Sequence, residues 1–173
     1  PEPVEGWGYE RMVTLTRLGR CLRAQGRTGE AEMHYRQAIK VAEKLEQSES
    51  VKRHAGVLHT DLADVLRDQG RYAQAEKEYN ITLKIMREID DKRSIGAVLG
   101  QLGTLALQQK NYAEARRRYR EALGIFQNMG EDQSEAVLWH QLGMVAQEQA
   151  QQVGAQHAAP HWDEAARCYR ESL

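Results

Sequence analysis

A pattern returning every 40 to 44 residues constrains this chain more than any other feature. Leu18-Gly19, Leu62-Ala63, Leu102-Gly103 and Leu142-Gly143 share one pair of columns, followed by Leu22, Leu66, Ala106 and Ala146. Gln25, Gln69, Gln109 and Gln149 are identical in all four copies. A second block starts at Ala31, Ala75, Ala115 and Ala165, with Tyr35, Tyr79, Tyr119 and Tyr169 four residues on. Ala38, Thr82, Ala122 and Ser172 come three residues after the tyrosines. Spacings of three and four put each block on one face of a helix. Each copy therefore holds two helices split by a short turn.

The residue types suit antiparallel packing within each copy. A small Gly or Ala lets the first helix approach the second, and the tyrosine ring fills the space left. Gly26 and Gly70 are expected to end the first helices in the left-handed conformation. Lys110 replaces that glycine in the third copy, where Asn111 is expected to supply the same geometry. Ser50, Asp91 and Asp132 are the expected N-caps of the next first helices. No proline stands between Val4 and Ala159, as long helices require.

These residues resemble the tetratricopeptide repeat family, whose pattern opens Trp-x2-Leu-Gly. Trp139-x2-Leu142-Gly143 matches it literally, and the turns Gly70-Arg71-Tyr72-Ala73-Gln74-Ala75 and Lys110-Asn111-Tyr112-Ala113-Glu114-Ala115 match what the family places there. The resemblance implies an all-α fold, a right-handed α-solenoid of about four antiparallel helix pairs. Its repeats would be 9–50, 51–91, 92–132 and 133–173, after an N-terminal tail at 1–8. The period exceeds the family's usual repeat of about 34 residues, and the closing proline is missing. Both departures are similar to the longer-repeat branch that includes kinesin light chain and bacterial sensor and signalling proteins. In the fourth copy the halves stand 10 residues farther apart than in the third. The extra stretch, about 150–161, reads as a lengthened helix end plus a loop, followed by a truncated second helix. Neither end carries a polar capping element, so a piece of a longer protein is expected.

Composition excludes several classes of function. Lys and Arg number 24 against 25 Asp and Glu, a formal net charge of -1, which argues against nucleic-acid and membrane-surface partners. Apolar runs are too short for a membrane span. Two cysteines suit a reducing compartment, and a cytoplasmic location is expected. Phosphate loops, nucleophile elbows and His-Glu-x-x-His are absent from the sequence, so no enzyme activity and no cofactor is expected. His157 and His161 have metal-ligand spacing, but Pro160 between them is expected to break the helix, leaving two loop histidines and no metal site. Cys21 shares a column with Val65, Leu105 and Val145 and is expected to be buried; Cys168 is expected to be half exposed and non-catalytic. The basic run Arg116-Arg117-Arg118-Arg120, flanked by Glu114 and Glu121, reads as a solvated outer face.

The resemblance also implies that first helices line a concave groove. Its columns hold Arg17, Arg20 and Arg23, then Asp61, Asp64, Arg67 and Asp68. Copies three and four contribute Gln101, Thr104, Gln108, His140, Gln141 and Met144. Arg17 shares a column with Asp61, and Arg20 with Asp64, so both intramolecular pairing and ligand contact are open to them. The family's carboxylate clamp for chaperone C-termini uses Lys and Asn, and these columns contain neither. The function these features imply is a non-catalytic scaffold binding a peptide or partner protein in the groove. The alternatives are a regulatory or substrate-recruiting module of a larger signalling enzyme (an NTPase, protease or kinase), or a module that self-associates weakly through its C-terminal helix.

Overall fold

The computed structural model describes residues 7–153 and 155–173, with the side chains of 155 and 156 left aside. Among the described residues there are eight helices and no strand. They fall into two compact units divided between Asp91 and Lys92. The first unit contains α1 (Trp7–Ala24), α2 (Thr28–Ala42), α3 (Glu49–Asp68) and α4 (Tyr72–Glu88). The second contains α5 (Lys92–Gln108), α6 (Tyr112–Met129), α7 (Asp132–Gln152) and α8 (Ala155–Glu171). In unit one, α1 pairs with α2 and α3 with α4, and α2 stacks on α3; in unit two, α5 pairs with α6 and α7 with α8, and α6 stacks on α7. Trp7 and Gly8 belong to α1, while positions 1–6 of the expected tail lie outside the described residues.

Each pair is locked by its tyrosine. A Cβ built on Gly19 would stand 2.6 Å from the Tyr35 ring, on Gly103 2.6 Å from Tyr119, and on Gly143 2.6 Å from Tyr169. At that separation the helix could not keep its place with a larger residue. Tyr35, Tyr79 and Tyr119 are buried, with Ala31, Ala75 and Ala115 beside them on the same helices.

The turns correct several expectations. Gly26 and Gly70 both have φ +75°, but in the third pair Lys110 itself adopts φ +58°. Asn111 has φ -85° and instead N-caps α6, its side chain accepting from the Glu114 N–H at 3.3 Å. An L-residue held there costs about 1 kcal/mol. Lys110→Gly is therefore expected to raise stability by roughly 0.5–1 kcal/mol, as a higher urea midpoint with an unchanged slope. Ser48, not Ser50, caps α3, and Asp132 is the first residue of α7 rather than its cap. Asp91 precedes α5 and is held by Arg53.

The described residues of 150–161 show the expected lengthened helix end but are helical where a loop was expected. α7 continues to Gln152 and α8 begins at Ala155, so the added residues lengthen helices. Ala and Gln are good helix formers, and Pro160 sits in the second turn of α8, where one backbone hydrogen bond is forgone. His157 and His161 thus lie one turn apart on a helix. Among the described residues no group of three or more His, Cys, Asp or Glu could hold a metal ion.

Both cysteines differ from expectation. Cys21 is exposed, whereas Val65, Leu105 and Val145 of its column are buried. That face of α3 is stacked against α2 and that of α7 against α6, but no described helix precedes α1. Cys168 is 3% exposed, and burial pushes its thiol up, away from the reactive thiolate.

The basic run is also more than a solvated face. Arg116 reaches Glu164 of α8 at 3.0 Å, and Arg120 reaches it at 3.3 Å. Arg117 and Arg118 grip Glu114 at 2.6 and 2.7 Å and hold its carboxyl down at about 2. Arg116 and Arg118 are largely covered in consequence, while Arg117 and Arg120 remain exposed.

Candidate functional site

In unit one the facing residues of α1 and α3 form an alternating charge lattice. Arg20 Nε donates to Asp61 Oδ2 at 2.7 Å. Arg23 donates through Nη1 to Asp64 Oδ2 at 3.0 Å and through Nη2 to Asp68 Oδ2 at 2.7 Å. The pairing is thus shifted from the column matches Arg17–Asp61 and Arg20–Asp64. Side chains on a helix lean toward its N-terminus, so Arg20 and Arg23 each meet a carboxylate one turn back, Asp61 and Asp64, while Arg23 also reaches forward to Asp68. Arg17, left over by that shift, is exposed and has no partner among the described residues.

Behind the lattice, Tyr79 Oη donates to Asp64 Oδ1 at 2.5 Å, and Arg67 Nη1 donates to Tyr79 Oη at 3.2 Å. Arg67 also lies 3.5 Å from both Asp64 and Asp68. Its side chain is mostly covered, which makes it a strut of the face rather than a free contact. Burial pushes the Asp61 carboxyl up, against the pull of Arg20. Tyr35 is raised to about 12 by burial and by Asp61, so its hydroxyl stays protonated. Two further residues were not legible as part of this face. Thr16 donates to the Met12 carbonyl at 2.8 Å and lies 3.1 Å from His54 Nε2, tying α1 to α3. Burial pushes the His54 imidazole down.

Unit two carries a different, uncharged face. Thr104 donates to the Gly100 carbonyl at 3.2 Å and lies 3.0 Å from Tyr119 Oη. Tyr119 Oη in turn donates to Gln141 at 3.3 Å. These two expected site residues therefore serve the tyrosine lock. Gln101 and Met144 are half-buried, and Gln108 is exposed. His140 is exposed and stacks obliquely on Tyr169, ring centroids 5.3 Å apart. Gln147, outside the expected set, accepts from Tyr169 Oη at 2.8 Å.

Antiparallel helix pairs locked by tyrosine and stacked through their second helices define a helical-repeat protein of the solenoid class. The chain belongs to the tetratricopeptide repeat family: models of that repeat match residues 11–50 and 54–128, together well over half of it. No curated protein matches the sequence. Among solved structures it is similar to BtubC of P. vanneervenii, with a TM-score of 0.77 at 19% identity over 93% of this chain and 61% of that one. Kinesin light chain-like repeats from Podosopora anserina give 0.68 at 17% identity, over 97% of this chain and 89% of that one. A Signal Transduction ATPase with Numerous Domains, carrying a tetratricopeptide repeat sensor, from Pyrococcus horikoshii gives 0.77 at 17% identity. That alignment covers 99% of this chain and 25% of the ATPase. This chain thus spans less than two thirds of the length of BtubC and a quarter of the ATPase. Among the described residues no helix is long and apolar enough to cross a membrane.

Proposed function

We propose that the chain is a non-catalytic protein-interaction module that binds a peptide or partner protein along its first-helix faces. Tetratricopeptide repeats typically mediate protein–protein interactions, and membership of that family supports the reading. The observation that carries it is the unsatisfied cationic edge of unit one. Among the described residues Arg17 has no partner, and Arg20 commits only its Nε atom to Asp61, leaving its terminal nitrogens toward solvent. Hydrogen bonds and rim charges of this kind support an affinity around the micromolar level, about -8 kcal/mol. Free cysteines support a cytoplasmic setting.

A second reading makes the chain the sensing or recruiting part of a larger signalling enzyme. It is favoured by the near-complete alignment of this chain to a quarter of an ATPase whose repeats are described as a sensor. Both readings place the contact on the same face.

Selection from an immobilised peptide library tests that face. Arg17→Glu with Arg20→Glu is expected to keep the helical circular-dichroism signal and to weaken the selected peptides by tenfold or more. Undiminished binding of every selected peptide to the double variant would remove unit one as the contact.

A further inference from the structure

The stacks of α2 on α3 and of α6 on α7 follow one plan. On α6, Tyr112, Arg116 and Arg120 stand four residues apart and form one stripe of the helix. That stripe faces the next pair. Arg116 donates to Gln149 of α7 at 3.0 Å, and Arg116 and Arg120 both reach Glu164 of α8, at 3.0 and 3.3 Å. On α2 the same columns hold Thr28, Glu32 and Arg36, and Glu32 accepts from Arg71 of the next pair at 2.6 Å. Thr28, Glu32, Tyr112 and Arg116 are half-buried in these stacks. The receiving helices match as well: Leu58, Leu62 and Val65 of α3 are buried, and so are Leu138, Leu142 and Val145 of α7.

Both halves of the plan recur uncovered. On α8 the stripe columns hold Trp162, Ala166 and Arg170, all exposed, and no described helix follows α8. On α1 the receiving columns hold Thr14, Leu18 and Cys21, all exposed, and no described helix precedes α1. The charges repeat the strap between α6 and α8. Arg170 stands in the column of Arg120, one residue after the tyrosine, and Glu30 in the column of Glu164, five residues before it. Arg170 Nε donates to the Ala166 carbonyl at 3.1 Å, and the side chain has no acidic partner among the described residues. Glu30 is exposed and held by Arg27 at 2.6 Å, but a carboxylate can take more than one guanidinium. Glu114, in that same column, takes Arg117 and Arg118 together.

We propose that the α8 stripe of one copy stacks on α1 of a second copy, with Arg170 of the first meeting Glu30 of the second. The contact continues across two molecules the stacking that α6 makes on α7 within one. Trp162 and Leu18 supply its apolar part, and Ala166, small where α2 has Glu32 and α6 has Arg116, lets the two helices approach. Leu18 and Arg20 lie two residues apart on α1 and do not face each other, so the contact does not draw on the charge lattice. It joins two different faces and leaves one of each open on every added copy. Association of that kind grows with concentration unless the copies close into a ring. One exposed ion pair and few large apolar side chains make each junction weak, with a dissociation constant on the order of 100 µM.

Analytical ultracentrifugation of the full chain tests the contact, with loading concentrations from about 5 to 500 µM. The weight-average mass is expected to rise above that of the monomer across this range. Leu18→Glu, Glu30→Arg and Arg170→Glu are each expected to weaken association about fivefold or more. All three side chains are exposed, so the helical circular-dichroism signal should match the parent's. The decisive sample mixes Glu30→Arg chains with an equal amount of Arg170→Glu chains. Every junction between unlike chains then joins opposite charges, and the mixture is expected to recover the parent's association although each component alone does not. Both components are also measured separately, so a variant that melts lower than the parent does not blur the comparison. A monomer at every concentration overturns the proposal, and so does association that Leu18→Glu leaves unchanged. Association that neither charge variant weakens, or a mixture that associates no better than its components, overturns it as well, since the copies would then meet through other faces.

Discussion

Tyr119→Ala is expected to lower the unfolding free energy by about 3–5 kcal/mol, read as a fall in the urea midpoint. The ring is 1% exposed and fills the gap under Gly103, where even a Cβ would stand 2.6 Å from it. Truncation leaves a cavity that α5 cannot close without leaving its packing against α6. It also takes the hydroxyl away from Thr104 and Gln141, its neighbours at 3.0 and 3.3 Å. Tyr119→Phe separates the terms, since it keeps the ring and removes only the polar contacts, for about 1 kcal/mol. An alanine variant as stable as the parent would mean that the ring does not lock the pair.

The second large effect is a contrast within one column. Leu62→Ala is expected to cost about 2–5 kcal/mol, and Leu18→Ala less than about 1 kcal/mol. The residues occupy equivalent helical positions, but Leu62 is 1% exposed and Leu18 43%. Leu62 lies on the helix that α2 covers; Leu18 lies on α1, which no described helix precedes. Side-by-side urea melts of the two variants measure the difference, and equal losses would contradict this account of stacking.

The helix pairs were legible because apolar and small residues at three- and four-residue spacing recur in register, and that register is all an antiparallel pair needs. The boundaries were less legible wherever two local rules competed. Lys110 takes the left-handed conformation because the turn geometry is imposed by the helices it joins, although Asn111 is intrinsically better suited. Around 150–161 the helix preference of Ala and Gln outweighed the reputation of Pro160. Cys21 and Cys168 show a different limit: a column predicts burial only where a neighbouring element covers it. Among the groove residues, Arg17, Arg20 and Asp61 were readable as a charged face, but their partners were not. Which carboxylate an arginine reaches depends on the direction of its side chain.

The one-turn shift between arginine and aspartate gives the charge lattice a direction. Arg20 meets Asp61 because it leans backward along α1, and a carboxylate is too short to make the reciprocal reach. Exchanging the arginine row for the aspartate row would therefore not reproduce the lattice in mirror form; the new arginines on α3 would overshoot in the same backward sense. Arg23 bridges both ways, back to Asp64 and forward to Asp68, so the direction rests on Arg20. The Arg20–Asp61 pair thus points back along the chain, one turn off the register that the repeat itself sets.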